Sequence, residues 1–163
     1  MRTGQKHTDG KAEREMISNK EQFGYRGIKI RGICIHNTGN ALSAAENYAL
    51  METSTGNEGC HFFIDEKEVI QAMPLNYCVY HTGMGKDWGC KHALAIEICR
   101  SQASAELYAA AEAKAVEFVK SLMERYELTT EDLYFHIDFN PRTYCPHHIL
   151  DNETKKEWIG RNF

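Results

Sequence analysis

Short apolar runs alternate with helical segments along most of this chain, and that alternation limits the folds open to it. The runs predict six strands, over residues 28–35, 60–65, 68–73, 76–81, 93–99 and 133–137. Helices are predicted between several of them, each after a residue that can cap a helix. This order favours a single α/β domain with a central mixed β-sheet of about five to six strands, flanked by helices.

Two of the helices have clear local signals. Ser43 and Glu46 form a capping box, which predicts a helix over about 44–51. Ser104 is expected to cap the longest helix. Apolar residues recur there at helical spacing and predict its buried stripe: Leu107, Ala111, Ala115, Phe118 and Leu122. The stretch DNETKKEWIG predicts a short helix at the end of the sequence.

Composition excludes several classes of function. The 163 residues suit one ordinary domain, and a net charge of −4 without a basic run argues against a nucleic-acid partner. No segment approaches the ~20 apolar residues that a membrane span needs, so membrane insertion is not expected. Residues 1–24 predict a polar arm ahead of the main domain at 25–163. The arm lacks the apolar core of a signal peptide, which predicts synthesis in the cytoplasm.

The six cysteines are therefore predicted to be reduced thiols, some of them buried and one or two of them candidates for metal binding.

Three of the predicted strands end in, or close to, a histidine. His36 closes ICIH, His81 closes CVYH, and His136 lies near the end of LYFH. One such histidine means little, because polar residues often follow a strand. Ligands collect at strand ends in open α/β sheets, however, so three of them favour a shared site.

A cysteine follows the third of these strands. Cys145 lies nine residues after His136, and two imidazoles with one thiolate suit zinc. His36, His136 and Cys145 are therefore predicted to be ligands, with the fourth position open to water or substrate. Cys145 could instead be a buried apolar thiol, and His147 or His148 could compete as a ligand.

Glu97 interrupts the apolar run ALAIEIC with a charge. Glutamate is rarely fully buried unless it is paired, so this residue either faces solvent on an edge strand or faces the metal. In the second case it could accept a proton from water and later donate it to a leaving amine.

The motifs IHNTGN, HFFIDEKEVIQAMPLN, HTGMG, LAIEIC and H(x8)CP occur here in that order. As a set they resemble the zinc-dependent N-acetylmuramoyl-L-alanine amidases of type 2, over roughly residues 28–150. These amidases share their fold with peptidoglycan recognition proteins, and this chain most resembles their bacteriophage endolysin branch. The resemblance implies Zn²⁺ as cofactor and peptidoglycan as partner. It also implies cleavage of the amide that joins N-acetylmuramic acid to the L-alanine of the stem peptide.

The resemblance also implies roles for particular residues. His36, His136 and Cys145 fall on the zinc ligands, and Glu97 falls on the general base. Thr143 falls on a position that helps to stabilise the oxyanion, where many bacterial members have lysine. The catalytic set is thus predicted to be Glu97, Thr143 and His81, and the substrate-binding set Asn37, Thr38, His81 and Trp88. His61 falls on a position that we interpret as structural.

Two other functions are open at this stage. A peptidoglycan-binding module of the same fold would lack catalysis, although such modules tend to lose the cysteine that this chain retains as Cys145. A structural zinc domain would need a closed fourth ligand, with His147 or Cys90 as candidates. The amidase hypothesis predicts action on the cell wall, after phage-type release, or on wall fragments. The oligomeric state is left open.

Overall fold

The computed structural model describes residues 29–163, so the predicted N-terminal arm at 1–24 lies outside the described residues. A five-stranded mixed sheet in the order β3-β2-β4-β1-β5 forms the centre of the fold. Its strands are β1 (Gly32–Asn37), β2 (Phe62–Ile64), β3 (Val69–Gln71), β4 (Ala93–Ile98) and β5 (Leu133–Phe135). Strands β2, β4, β1 and β5 run parallel, and β2 and β3 form an antiparallel hairpin. The predicted α/β class and strand number are confirmed.

Within this range, six α-helices connect or cover the strands. They are α1 (Ala44–Thr53), α2 (Trp88–His92), α3 (Ala105–Tyr126), α4 (His136–Phe139), α5 (His147–Leu150) and α6 (Lys155–Asn162). The Ser43–Glu46 capping box begins α1, and Ser104 caps α3, as predicted. In the part of the chain that the structure covers, no helix combines the length and apolar character of a bilayer span.

The buried stripe of α3 lies slightly to one side of the predicted one. Ala111, Ala115 and Leu122 are buried as expected, but Leu107 and Phe118 are only partly buried. Tyr108, Val116 and Val119 are buried as well. Each of these three lies one residue after a member of the predicted stripe, so the buried face is rotated slightly from the one that the pattern marked.

The two faces of the sheet are covered differently, and β4 shows how. Leu94, Ile96 and Ile98 point into the larger core beneath α3 and α6, where Trp158 is also buried. Ala95 and Cys99 point into a smaller core that α1 closes. Because side chains alternate along a strand, Glu97 belongs to this second face, where it is only partly covered.

The strand predicted over 76–81 is wrong. Within this segment only Tyr77 and Tyr80 lie in isolated β-bridges, and the bridge of Tyr80 is with Glu58. Pro74 ends the hairpin, and the Tyr77 amide bonds back to the Pro74 carbonyl at 3.0 Å, so the chain turns away from the sheet edge. Without a neighbouring strand, this apolar segment packs as a loop.

The prediction of reduced cysteines is wrong for one pair. Cys78 in this loop and Cys90 in α2 form a disulfide with their Cα atoms 5.4 Å apart. The fold brings them together, which sequence spacing alone does not indicate. The remaining four are free thiols: Cys34, Cys60, Cys99 and Cys145.

Candidate metal centre and active site

Parallel register places the predicted site residues side by side. His36 on β1 is the direct neighbour of Glu97 on β4. On the other side of β1, Ile35 pairs with Phe135 at the end of β5, so His136 follows beside His36. The carboxyl ends of parallel strands meet at one edge of the sheet, and this edge carries the site.

His36, His136 and Cys145 form a set that could hold a metal ion. Their ligand atoms all lie within 4.8 Å of one another. His36 Nδ1 lies 3.7 Å from Cys145 Sγ, and the rings of His36 and His136 are 4.7 Å apart. The Nε2 atom of His136 is buried and has no hydrogen-bond partner among the described residues. A buried ring nitrogen without a partner is what a ligand position requires.

The distances and chemistry fit zinc. Zinc holds nitrogen at about 2.0–2.1 Å and sulfur at about 2.3 Å, so two such ligands in a tetrahedral shell lie roughly 3.6 Å apart. The 3.7 Å between His36 and Cys145 matches that spacing. Burial lowers the pKa of His36 well below its usual value and keeps the imidazole neutral, as a ligand must be. Burial, with a smaller effect of Glu97, raises the pKa of the Cys145 thiol to about 12, which a bound cation would reverse.

His36 has a second close partner on its other ring nitrogen. Its Nε2 lies 3.0 Å from Nδ1 of His81, and both rings are buried. The ligand atoms of Cys34, His36 and His81 also lie within 4.8 Å of one another. Cys34, however, is fully buried and does not line the cleft described below, whereas Cys145, His36 and His136 all do. The set that contains Cys145 is therefore the one that substrate can reach.

Glu97 faces the ligand set rather than bulk solvent. Its Oε1 lies 3.9 Å from His36 Nδ1, and its side chain is 23% exposed. Its Oε2 is buried without a hydrogen-bond partner in residues 29–163. Burial raises the pKa of the Glu97 carboxyl to about 8. A cation bound within a few ångströms would lower this pKa again, because it favours the ionised form.

These residues line a cleft of about 590 Å³. Its floor is the strand edge, and its far wall is the exposed side of α1 together with the loop that follows it. The other lining residues are Asn37, Asn40, Asn47, Leu50, Met51, Ser54, Glu58, Gly59, Cys60, Phe63, Tyr80, His81, Gly83 and Thr143. The sequence analysis missed the wall formed by α1. Leu50 on that helix is 54% exposed, but exposure is a property of the fold and gave the sequence analysis no signal.

The other predicted site residues differ in their placement. The Thr143 hydroxyl donates to the Asn140 carbonyl at 2.8 Å, so donation to an oxyanion would require this bond to open. Thr38 is buried, and its hydroxyl accepts from the Arg100 amide at 3.3 Å. Trp88 is 39% exposed, packs against Phe139, and lies outside the set of described residues that line the cleft.

Asn37 lines the cleft, but its side-chain amide makes hydrogen bonds within the protein. Its amide nitrogen donates to the Tyr108 hydroxyl at 3.0 Å, and its amide oxygen accepts from the His148 amide at 3.0 Å. The substrate-binding roles of Asn37, Thr38 and Trp88, and the oxyanion role of Thr143, stay predictions.

The candidates for a closed fourth ligand are engaged elsewhere. His147 Nε2 lies 2.9 Å from the Arg100 guanidinium, and the His148 ring packs on Tyr108 with centroids 3.8 Å apart. Cys90 is held in the disulfide with Cys78. Within residues 29–163, none of the three belongs to a group of side chains close enough together to hold a metal ion. The candidate ligand set in residues 29–163 is therefore His36, His136 and Cys145, and all three line the cleft.

A candidate His/Cys ligand set beside a partly buried carboxylate, at the carboxyl edge of an α/β sheet, defines a candidate metallohydrolase centre. The family model of the N-acetylmuramoyl-L-alanine amidases (Amidase_2) matches residues 26–148 of this chain. The chain belongs to this family.

Curated relatives agree with this membership. The chain is 34% identical over 147 residues to the N-acetylmuramoyl-L-alanine amidase CwlA of Bacillus subtilis (strain 168), a match covering 88% of this chain and 53% of CwlA. It is 40% identical over 119 residues to the amidase XlyB of the same strain, covering 72% of this chain and 37% of XlyB. The chain thus spans about half, or less, of the length of these relatives.

Solved structures show the same fold. PlyL superposes with a TM-score of 0.85 at 26% identity, over 93% of this chain and 96% of PlyL. The catalytic domain of PlyG superposes with a TM-score of 0.81 at 25% identity, over 93% of this chain and 94% of that domain.

Proposed function

We propose that this chain hydrolyses the amide bond between N-acetylmuramic acid and L-alanine in peptidoglycan. The family membership supports the reaction class, and the relatives that match the chain carry this activity in their names. The observation that carries the proposal is the convergence of Glu97, His36, His136 and Cys145 at one end of an open cleft.

Zn²⁺ is the cofactor that we propose for His36, His136 and Cys145. A zinc ion held by three protein ligands polarises a carbonyl and acidifies water at its open position. Two neutral imidazoles and a thiolate leave a net charge of about +1 on such a centre, which suits the stabilisation of developing negative charge on an amide oxygen.

Glu97 moves the proton in this proposal. Its carboxylate accepts a proton from the water that attacks the scissile carbonyl carbon, and it then donates that proton to the departing nitrogen of L-alanine as the C–N bond breaks. Glu97 lies beside His36, and one of its oxygens has no hydrogen-bond partner within residues 29–163, which leaves the carboxylate available for both transfers.

The cleft is assigned to the substrate. Leu50 and Met51 give its α1 wall an apolar surface, and Asn40 and Asn47 add amide groups. Such a mixture suits a stem peptide with its adjoining sugar. The site of action would then be the cell wall or its fragments.

The test is a digest of purified cell wall by metal-loaded and chelator-treated protein, analysed by mass spectrometry. We expect new free L-alanine amino termini and intact lactyl-muramic acid, and only with metal present. Binding of muropeptides without such products would instead indicate a non-catalytic binding module. Retention of Cys145 and Glu97 argues against that alternative.

Glu97→Gln tests the assigned base. It should lower turnover by about 10²–10⁴-fold, because general acid–base catalysis contributes that much, and leave the zinc content unchanged. Glu124→Gln, the same chemical change at an exposed position of α3, is the matched control. Wild-type turnover by Glu97→Gln would remove Glu97 from the mechanism.

A further inference from the structure

We propose that His81 is a positioning residue for the metal ligand His36, fixing its ring orientation and the nitrogen on which it carries its proton. This inference rests on the proposed metal centre but not on the reaction that the centre performs. Its basis is the contact between His36 Nε2 and His81 Nδ1, at 3.0 Å between two buried rings.

A ring-nitrogen pair at that distance shares one hydrogen, and the cleft decides where it lies. Nδ1 of His36 faces Cys145 and Glu97, so this nitrogen is the one that a bound cation would use. The hydrogen must then be on Nε2 of His36, which donates to Nδ1 of His81. Metal-bound histidines almost always donate their second ring N–H to a hydrogen-bond acceptor, which fixes the tautomer and raises the basicity of the ligand.

The structure holds His81 firmly enough for this role. Cys78, three residues earlier, is tied to α2 by the disulfide with Cys90. On the other side, the Thr82 carbonyl accepts from the Asn140 side-chain amide at 3.2 Å. The loop around His81 is thus fastened both to α2 and to the segment that leads from β5 to Cys145.

This assignment differs from a role in contacting substrate. The two rings are nearly perpendicular, at 79° with centroids 5.1 Å apart, and His81 approaches His36 through its Nδ1 atom. Substitutions can exploit this geometry. An Asn side-chain oxygen occupies nearly the place of a histidine Nδ1, whereas a Gln oxygen reaches towards the place of Nε2.

The experiment compares His81→Leu, His81→Asn and His81→Gln for zinc affinity, measured by competition with a chromophoric chelator. We expect His81→Leu to lower the affinity by about 10–100-fold, because loss of such a supporting partner typically costs that much. His81→Asn should recover most of the loss, and His81→Gln should recover little. Circular dichroism of each variant controls for folding.

A second measurement needs no variant at position 81. Nitrogen-15 NMR of the zinc-loaded wild-type protein should show His36 protonated at Nε2 and bound through Nδ1. A proton at Nδ1 of His36 would overturn the proposal. Wild-type zinc affinity in His81→Leu would also overturn it. If that variant differed from wild type only by a raised KM, His81 would contact substrate rather than support the metal ligand.

Cys34→Ser tests the alternative metal site formed by Cys34, His36 and His81. This variant should bind zinc as tightly as wild type, whereas a loss in affinity would place the ion between Cys34, His36 and His81 and would refute the shared-proton geometry. If the affinities and the tautomer are as expected but wall digests yield no products, the proposed hydrolysis fails and the role of His81 stands.

Discussion

Asp65 joins three parts of the structure, and its replacement by Asn should destabilise the fold measurably. The residue follows β2 and is completely buried. Its carboxylate accepts three backbone N–H groups, each at 2.8 Å: those of Lys67 and Glu68 in the hairpin turn, and that of Ala44 at the start of α1. One side chain therefore shapes the hairpin and anchors the helix that forms the cleft wall.

The size of the effect follows from these contacts. Hydrogen bonds to a charged group contribute about 1.5–3 kcal/mol each, roughly twice the value of neutral ones. An asparagine side chain at this position would keep one oxygen, which can serve Lys67 and Glu68 as a weaker neutral acceptor, and its NH₂ group would face the Ala44 amide. We expect Asp65→Asn to lose one charged bond and weaken two, partly offset by the easier burial of a neutral group. The net loss should be about 3 kcal/mol.

Urea unfolding followed by tryptophan fluorescence measures this loss, since Trp158 is buried in the core. In a thermal melt, a loss of about 3 kcal/mol corresponds to a decrease in Tm of about 6–12 °C for a chain of this size. Glu124→Gln, which removes an exposed charge, should change the stability by less than about 0.5 kcal/mol. If the free energy of unfolding of Asp65→Asn differed from that of wild type by less than about 0.5 kcal/mol, the reasoning would be refuted.

Two further predictions concern the cysteines. Cys145→Ser should weaken zinc binding by more than the ~100-fold upper range for a supporting residue, measured by chelator competition; unchanged affinity would exclude Cys145 as a ligand. Replacing Cys78 and Cys90 together by Ser should lower the free energy of unfolding by about 3 kcal/mol, since their bond closes a 12-residue span. Wild-type protein unfolded under a dithiol reductant should lose the same amount, and a loss below about 1 kcal/mol in both would contradict the expected magnitude.

Local signals in the sequence predicted local structure well. The Ser43–Glu46 box is predicted correctly because its two hydrogen bonds span only three residues. The hairpin of β2 and β3 also follows from its own turn, where Asp65 bonds to the next residues. The strand over 76–81 failed for the opposite reason. Its composition suits a strand, but a strand must pair with a neighbouring strand. The turn at Pro74 directs this segment away from the sheet edge, so it has no strand to pair with.

Contacts between distant segments were harder to predict. The sequence placed His81 in the site without indicating that it bonds to His36, because 45 residues separate the two. The Cys78–Cys90 pair was missed for a related reason: cysteine spacing says nothing about Cα separation before the fold is known. The resemblance to a family supplied a set of site residues, but hydrogen-bond partners depend on the three-dimensional packing of this chain.

His61 shows how packing away from the cleft supports the site. It is fully buried, its Nδ1 accepts from the Ala95 amide at 2.9 Å, and its Nε2 donates to the Tyr77 carbonyl at 3.0 Å. This neutral ring therefore joins the strand that carries Glu97 to the loop that carries His81, which agrees with the structural role predicted for it. A slip of one residue in the β1–β4 register would turn Glu97 away from His36, because side chains alternate between faces. The geometry of the candidate centre thus depends on sheet register and on buried polar links such as His61.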